Sequence, residues 1–288
     1  MRSIELARAF CIVAALAASA AHAADNPPEL KANRIEVRYV EPKTADLQPV
    51  FKLLTEKKAL EKIRDLLAPI KLPRTLILQT MSCDGAVNAW YQDGKVTVCY
   101  ELADDIWRNA AREKTPAGIA PLDTMIGPFV SVMLHESGHA FFDLLKVPVL
   151  GGEETAADEF ASYFLLQFED DETRRLVAGS AYQYREDVLS PTVTTALKQF
   201  SDEHGTPAQR FYNLLCMAYG ADQKLFADVV TAGYLPKARA DRCPAEYARV
   251  ANAIAALIGP HVDLALAAQQ PRRWLAPADT KVVPIPPE

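Results

Sequence analysis

A long, mostly apolar helix is predicted over residues 123–145. It carries the sequence HESGH at residues 135–139, with aliphatic and aromatic side chains before and after it. Two histidines and a glutamate are costly to bury in such a helix without partners. A spacing of four residues places His135 and His139 on one helix face, one turn apart, where they can share a metal ion. The alternative is a pair of helix-packing histidines that bind no metal.

A catalytic metal ion of this kind needs a third protein ligand and one open position. The extended motif HExxHxxGxxH is excluded, because Phe142 and Leu145 occupy its last two defined positions. Glu154 follows His139 by fifteen residues, beyond a Lys-Val-Pro segment and a Gly-Gly pair that allow a turn into a second helix. This spacing predicts that the second helix returns against the first and brings Glu154 to the metal.

The second helix has two neighbouring glutamates that could be the third ligand. The residue four positions after each of them indicates which one is favoured. Glu154 is favoured as the ligand because Asp158 lies one turn later on the same face. Asp158 is predicted to orient a ligating histidine through its other ring nitrogen. Glu153 is the alternative ligand, and a solvated acidic helix face is the alternative to any metal site.

The glutamate inside the motif carries the predicted chemistry. Glu136 directly follows His135 and points towards a water molecule on the metal. It can accept a proton from that water and later pass one to a leaving amine. We therefore expect one Zn²⁺ per chain, held by His135, His139 and Glu154, with Glu136 as the general base.

The remaining pattern predicts an α+β fold. A strand is predicted at 34–40, one or two helices at 45–67, and a strand at 74–80. Alternating segments at 87–92 and 95–101 flank Asp93-Gly94, which is a strong hairpin signal. The rest of the pattern predicts helices at 102–114, 123–145, 153–168, 172–184, 191–203, 207–219, 223–232 and 244–258. A small mixed or antiparallel sheet with a hairpin should therefore pack on the motif helix, followed by a mostly helical C-terminal part.

The first 23 residues have the pattern of a secretory signal peptide: a basic start, a short apolar run and an Ala-His-Ala cleavage site. The apolar run is too short for a membrane anchor, so no membrane insertion is expected after cleavage. Residues 24–269 are predicted to form one domain, with a sheet-containing part at 24–122 and a helical part at 123–269, and residues 270–288 a proline-rich tail. The net charge of −6 without a basic cluster argues against a nucleic-acid partner.

Four cysteines remain after the predicted cleavage, which in an exported chain indicates two disulfides. Three pairings are possible. Cys83–Cys99 and Cys216–Cys243 are favoured because each pair brackets one compact local unit. Free thiols are the alternative, while a structural zinc site is disfavoured because no C-x2-C pair is present.

The residues 135–143 and 152–161 together resemble the gluzincin metallopeptidases, which have a zincin-like fold. With QRFYNLLC at 209–216 they are similar over most of the mature chain to a bacterial metallopeptidase family catalogued as a domain of unknown function. In gluzincins an edge strand above the motif helix holds the substrate backbone through an Asn-Ala pair, and Asn88-Ala89 on the predicted hairpin looks similar.

The resemblance further implies a histidine or tyrosine that stabilises the oxyanion beyond the second zinc helix. The candidates are His204, Arg210 and Tyr212. A helix-end histidine such as His204 is more often a cap or surface residue. Arg210 and Tyr212 alternatively pack against or pair with the acidic helix.

The expected activity is hydrolysis of a peptide or protein substrate by zinc-activated water. Two alternatives stay open: a zinc-binding protein without catalysis that holds a partner in its cleft, and a hydrolase of non-peptide amides. A free edge strand beside the metal favours extended peptides, whereas a closed pocket favours small substrates. The sequence does not indicate an oligomeric state.

Overall fold

A computed structural model describes residues 28–189 and 197–270. The expected signal peptide at 1–23 and the proline-rich tail beyond residue 270 lie outside the described residues. So does the first part of the helix expected at 191–203. Within its described part, a 3-10 helix spans Leu197–Ser201 instead of an α-helix.

The N-terminal part alternates strands with two helices and ends in a hairpin. Its elements are β1 (Ile35–Tyr39), α1 (Gln48–Glu56), α2 (Ala59–Leu67), β2 (Leu76–Met81), β3 (Ala89–Gln92) and β4 (Lys95–Cys99). The sheet has the order β1-β2-β4-β3, in which β1, β2 and β4 are parallel and β3 is antiparallel to β4. Asp93 and Gly94 both have positive φ, at 49° and 77°, which suits a tight turn between β3 and β4.

The rest of the described chain is helical. Its α-helices are α3 (Tyr100–Asn109), α4 (Pro121–Leu145), α5 (Glu153–Leu165), α6 (Asp170–Tyr182), α7 (Arg185–Leu189), α8 (Pro207–Ala221), α9 (Ala227–Thr231), α10 (Lys237–Ala240), α11 (Cys243–Leu257) and α12 (Leu264–Ala267). The expected α+β class, with a mixed sheet followed by a mostly helical part, is confirmed.

Helix α4 is apolar on most of its surface because it is covered from two sides. It packs against β3 and β4 on one side and against α5 and α6 on the other. Buried side chains such as Met133, Leu134 and Phe141 have no measurable exposure, and neither do Leu78 and Val98 of the sheet. The motif helix is thus held in the middle of the core, which fixes the positions of the side chains it presents.

Helices α4 and α6 cross with almost no space between their backbones. A Cβ atom on Gly179 would lie 1.9 Å from the carbonyl oxygen of Asp123. Beside this crossing, the buried carboxylate of Asp123 accepts a hydrogen bond of 2.8 Å from Arg175. The glycine permits the close approach, and the ion pair satisfies the charge that it buries.

Two disulfides join the pairs favoured from the sequence. Cys83 and Cys99, with Cα atoms 5.6 Å apart, connect the loop before β3 to the end of β4. Cys216 and Cys243, with Cα atoms 5.0 Å apart, connect α8 to the start of α11. None of the helices within 28–189 and 197–270 has the length and apolar character needed to cross a bilayer.

Candidate metal centre

Helix α4 presents its two motif histidines side by side. The Nε2 atoms of His135 and His139 are 3.3 Å apart, and their ring centroids are separated by 5.0 Å. Gly138 lies between them, and a Cβ atom there would come within 3.3 Å of the Cα atom of Ala157 on α5. The glycine therefore lets α5 approach α4 closely at the level of the histidines.

Helix α5 brings a carboxylate to both imidazoles. Glu154 Oε2 lies 3.0 Å from His135 Nε2 and 3.3 Å from His139 Nε2. Gly151, with φ of +103°, makes the turn before this helix. Glu153 instead contacts the outer nitrogen of His139, with 2.8 Å between its Oε1 atom and Nδ1. The two glutamates thus occupy different places, and Glu154 is the one at the shared point.

A third histidine reaches the same carboxylate oxygen. His204 follows the 3-10 helix at 197–201, and its Nε2 atom lies 3.0 Å from Glu154 Oε2. Its ring stacks on that of His135 with centroids 5.7 Å apart. Its Nδ1 atom lies 3.0 Å from Asp202 Oδ1, a contact that no sequence pattern indicates although the two residues are only two positions apart.

Asp158 links the first histidine to α8. Its Oδ1 atom lies 2.8 Å from His135 Nδ1, and its carboxylate accepts hydrogen bonds of 2.8 Å and 2.7 Å from Arg210. Burial alone raises the pKa of Asp158, but the contacts with His135 and Arg210 outweigh it and hold that pKa below its usual value. Burial lowers the pKa of His135, and the hydrogen bond and charge of Asp158 more than reverse this. Arg210 therefore pairs with the acidic helix, the second of its two predicted roles.

Glu136 lies beside the cluster with little exposure to solvent. Glu136 is 8% exposed, and no hydrogen bond from another described residue reaches its carboxylate. Burial raises the pKa of Glu136, while the nearby charges of His135 and His139 oppose the rise. A carboxylate whose pKa is raised in this way is a better proton acceptor than one that is fully exposed to water.

Tyr212 lies further along α8 and is partly buried against the core. Its ring packs against that of Phe211, with centroids 5.3 Å apart. Among the described residues, no polar contact joins Tyr212 to His135, His139 or Glu154.

The hairpin places an open strand edge next to α4. Within the described part of the chain β3 pairs only with β4, so its other edge is unpaired. Ala89 begins β3, and the carbonyl oxygen of exposed Asn88 accepts a 3.0 Å hydrogen bond from the N–H of Cys99. The Tyr91 hydroxyl donates a 2.6 Å hydrogen bond to Asp143, one turn after His139. The strand is therefore attached to the motif helix close to the histidines.

The donor atoms fit a zinc ion. Imidazole nitrogens and a carboxylate oxygen are the ligands that zinc prefers when sulfur is absent. Bonds of about 2.0–2.1 Å in a tetrahedral shell place neighbouring donors roughly 3.3 Å apart. The Nε2 atoms of His135 and His139 and the Oε2 atom of Glu154 are 3.0–3.3 Å from one another, close to that spacing.

An α+β fold with two histidines one turn apart on a buried helix and a glutamate from the next helix is typical of metal-dependent peptidases. The profile of a family described as "Putative metallopeptidase" matches residues 39–258, more than three quarters of the chain. The chain belongs to this family, which indicates a peptidase that uses a metal ion. No curated protein and no solved structure shows significant similarity to the chain.

Proposed function

We propose that the protein is a zinc metallopeptidase of the gluzincin type that hydrolyses peptide bonds. His135, His139 and Glu154 would hold one Zn²⁺ per chain. The observation that carries the proposal is the meeting of both His Nε2 atoms at one oxygen of Glu154, with buried Glu136 beside them. The likeness to gluzincins lies in this order of ligands along the chain.

Zinc bound here would polarise the scissile carbonyl group and lower the pKa of a water molecule. Glu136 accepts the proton of the attacking water and passes it to the leaving amine. His204 is the stronger candidate to stabilise the negative charge on the carbonyl oxygen, because its Nε2 atom lies at the cluster. Tyr212 is the alternative proposed from the sequence. Asp158 keeps His135 in the tautomer whose Nε2 lone pair is available to the metal.

The unpaired edge of β3 supports an extended peptide or protein as the substrate. A peptide can add to such an edge as a further strand, with hydrogen bonds to its backbone. Asn88 and Ala89 would supply the first of these bonds, since they lie where β3 begins. The contact between Tyr91 and Asp143 would hold this strand at a fixed distance from the histidines.

The proposed setting is the periplasm or the cell exterior. Two disulfides are consistent with an oxidising compartment. The signal peptide predicted at 1–23 would direct the chain there, and residues 24–269 would form the mature single domain.

The test compares Glu136→Gln with wild type, His139→Ala and the remote surface variant Glu56→Gln. Elemental analysis of protein purified without chelator should find about one zinc per chain in wild type, Glu136→Gln and Glu56→Gln, and none in His139→Ala. A fluorogenic peptide library should be cleaved by wild type and Glu56→Gln, with at least a roughly 10²–10⁴-fold loss in Glu136→Gln.

The alternatives give different results in the same assays. Retained turnover in Glu136→Gln contradicts its role as the base. Zinc in wild type without cleavage of any peptide favours a non-catalytic binding protein, or a hydrolase of other amides if those are cleaved. Absence of zinc in wild type, even after zinc is added, overturns the metal site.

A further inference from the structure

We propose that His204 is a fourth protein ligand of the metal, so that the described conformation is a closed resting state from which His204 must depart before hydrolysis. This inference rests on the proposed metal site and adds a means of regulating it. It assigns His204 a second position, because the same side chain is free to face the substrate once it has left the metal.

The position of the His204 donor atom supports this assignment. His204 Nε2 lies 3.0 Å from Glu154 Oε2, as His135 Nε2 does, and His139 Nε2 lies 3.3 Å from it. Three imidazole nitrogens therefore lie at nearly equal distances from one carboxylate oxygen. Neighbouring donors of a tetrahedral zinc are roughly 3.3 Å apart. The 3.0 Å between His204 Nε2 and Glu154 Oε2 is close to that spacing.

The orientation of the three histidine rings also supports it. Each histidine turns Nδ1 to a carboxylate and Nε2 to Glu154. The carboxylate is Asp158 for His135, at 2.8 Å, and Asp202 for His204, at 3.0 Å. A ligating histidine characteristically donates its other ring N–H to a carboxylate, which fixes the tautomer and the ring direction. His204 has this arrangement as completely as the two motif histidines.

Glu153 supplies the same contact to His139, with 2.8 Å between its Oε1 atom and Nδ1. Two of these carboxylates, Glu153 and Asp158, lie on α5, and Asp202 lies in the segment before α8. The same contact at Nδ1 of all three rings favours a common role for them.

His204 is less firmly placed than the other ligands. The side chain of His204 is 44% exposed, compared with 5% for His135. Gly205 follows it with φ of +72°, and Thr206 caps α8 with a capping box, so the helix itself begins at Pro207, three residues after His204. His204 is thus held by its own short turn and can move without disturbing a packed helix.

Closure has a direct consequence for activity. A catalytic zinc site keeps one coordination position open for water or substrate, whereas a site with four protein ligands has none. Departure of His204 would open that position. The arriving substrate, or a change in the turn that carries Asp202, would then set the rate at which the site becomes active.

The experiment uses full-length mature protein loaded with Co²⁺, whose visible absorption reports the number and kind of its ligands. His204→Ala and Asp202→Asn are compared with wild type and with His261→Ala, a histidine outside the cluster. Metal affinity is measured by competition with a chromophoric chelator, and azide is titrated as a small exogenous ligand. Melting of the metal-free proteins shows whether each variant is folded.

We expect His204→Ala to change the Co²⁺ spectrum, to bind azide more tightly than wild type, and to lose affinity for the metal. The loss should exceed that in Asp202→Asn, for which roughly 10–100-fold is expected from removal of an orienting partner. His261→Ala should match wild type in all three measurements. An unchanged spectrum and unchanged affinity in folded His204→Ala would overturn the assignment.

Metal binding by wild type and His139→Ala distinguishes failure of the fourth ligand from failure of the proposed metal site. If wild type binds Co²⁺ and His139→Ala does not, the metal site stands whatever His204 does. If wild type binds no metal, both proposals fail together. A cobalt site that depends on His139 but is indifferent to His204 overturns the fourth ligand alone.

Discussion

The contact between Asp158 and His135 gives a prediction whose size follows from the structure. Asp158→Asn keeps the shape of the side chain but removes the charge that faces both His135 Nδ1 and Arg210. Loss of a partner that orients a ligand lowers metal affinity by roughly 10–100-fold. At 1.4 kcal/mol for each factor of ten, this is about 1.4–2.8 kcal/mol of binding free energy.

The same substitution also lowers the stability of the metal-free protein. It leaves the guanidinium of Arg210 without its carboxylate, in a pair whose side chains are only 27% and 22% exposed. Hydrogen bonds to charged groups contribute about 1.5–3 kcal/mol to the free energy of unfolding. Because water partly reaches this pair, we expect a loss of about 2 kcal/mol. With roughly 2–4 °C for each kcal/mol in a domain of this size, the melting temperature should fall by about 4–8 °C.

Arg210→Gln separates orientation of the histidine from stability. It removes the same ion pair but leaves Asp158 next to His135, so we expect a similar fall in melting temperature and metal affinity within a few-fold of wild type. Chelator competition and thermal unfolding of the metal-free proteins measure the two effects. Wild-type metal affinity in Asp158→Asn, or an equal loss of affinity in both variants, would refute the view that Asp158 acts by orienting His135.

Three further predictions concern the framework. Gly179→Ala should destabilise the fold by roughly 1–3 kcal/mol in denaturant unfolding, because its methyl group meets a backbone carbonyl at 1.9 Å, and wild-type stability would contradict the close helix crossing. Joint replacement of Cys216 and Cys243 by alanine removes a disulfide between residues 27 positions apart, and loop entropy predicts a loss of stability of about 3.5 kcal/mol. An unchanged melting temperature would count against the disulfide. The hydrogen bond from Tyr91 and the contact with Lys146 lower the pKa of Asp143 in the folded protein. The ionised Asp143 carboxylate therefore stabilises the folded state at pH values above its unfolded pKa of about 3.9, and this stabilisation is lost as the pH falls through the lower folded pKa. Asp143→Asn should therefore cost about 0.5–1 kcal/mol at pH 7, reduced by solvent screening, and nothing once the wild-type carboxyl is protonated; a deficit independent of pH would contradict this.

The parts of the fold predicted from the sequence are those with a local cause. The hairpin follows from Asp93-Gly94 between alternating segments, and α4 from a long apolar pattern. The parallel pairing of β1 with β2 and of β2 with β4 joins strands distant in sequence, and no local pattern specified it. The 3-10 helix at Leu197–Ser201 replaced an expected α-helical turn, which periodicity does not distinguish over so short a segment.

The candidate site divides in the same way. The spacing of His135 and His139 and the aspartate four residues after Glu154 define a geometry by themselves, because a helix fixes where such residues point. The roles of Glu153 and Asp202 depend on how loops and helices meet, so the sequence left Glu153 as an alternative ligand and did not indicate Asp202. The only sequence signal for Asp202 is its place two residues before His204.

The contrast between the packed helices and the turn before α8 decides what loss of His204 should do to the metal. His135 and His139 lie on a helix buried on two sides, and Gly138 lets Glu154 approach them from α5. These three donors are therefore held by the core whether or not His204 is present. Removal of His204 should lower the affinity for the metal but leave about one ion per chain at saturation, because three protein ligands are enough for a catalytic zinc. A core that retains the metal when one ligand leaves allows that ligand to regulate access without loss of the ion.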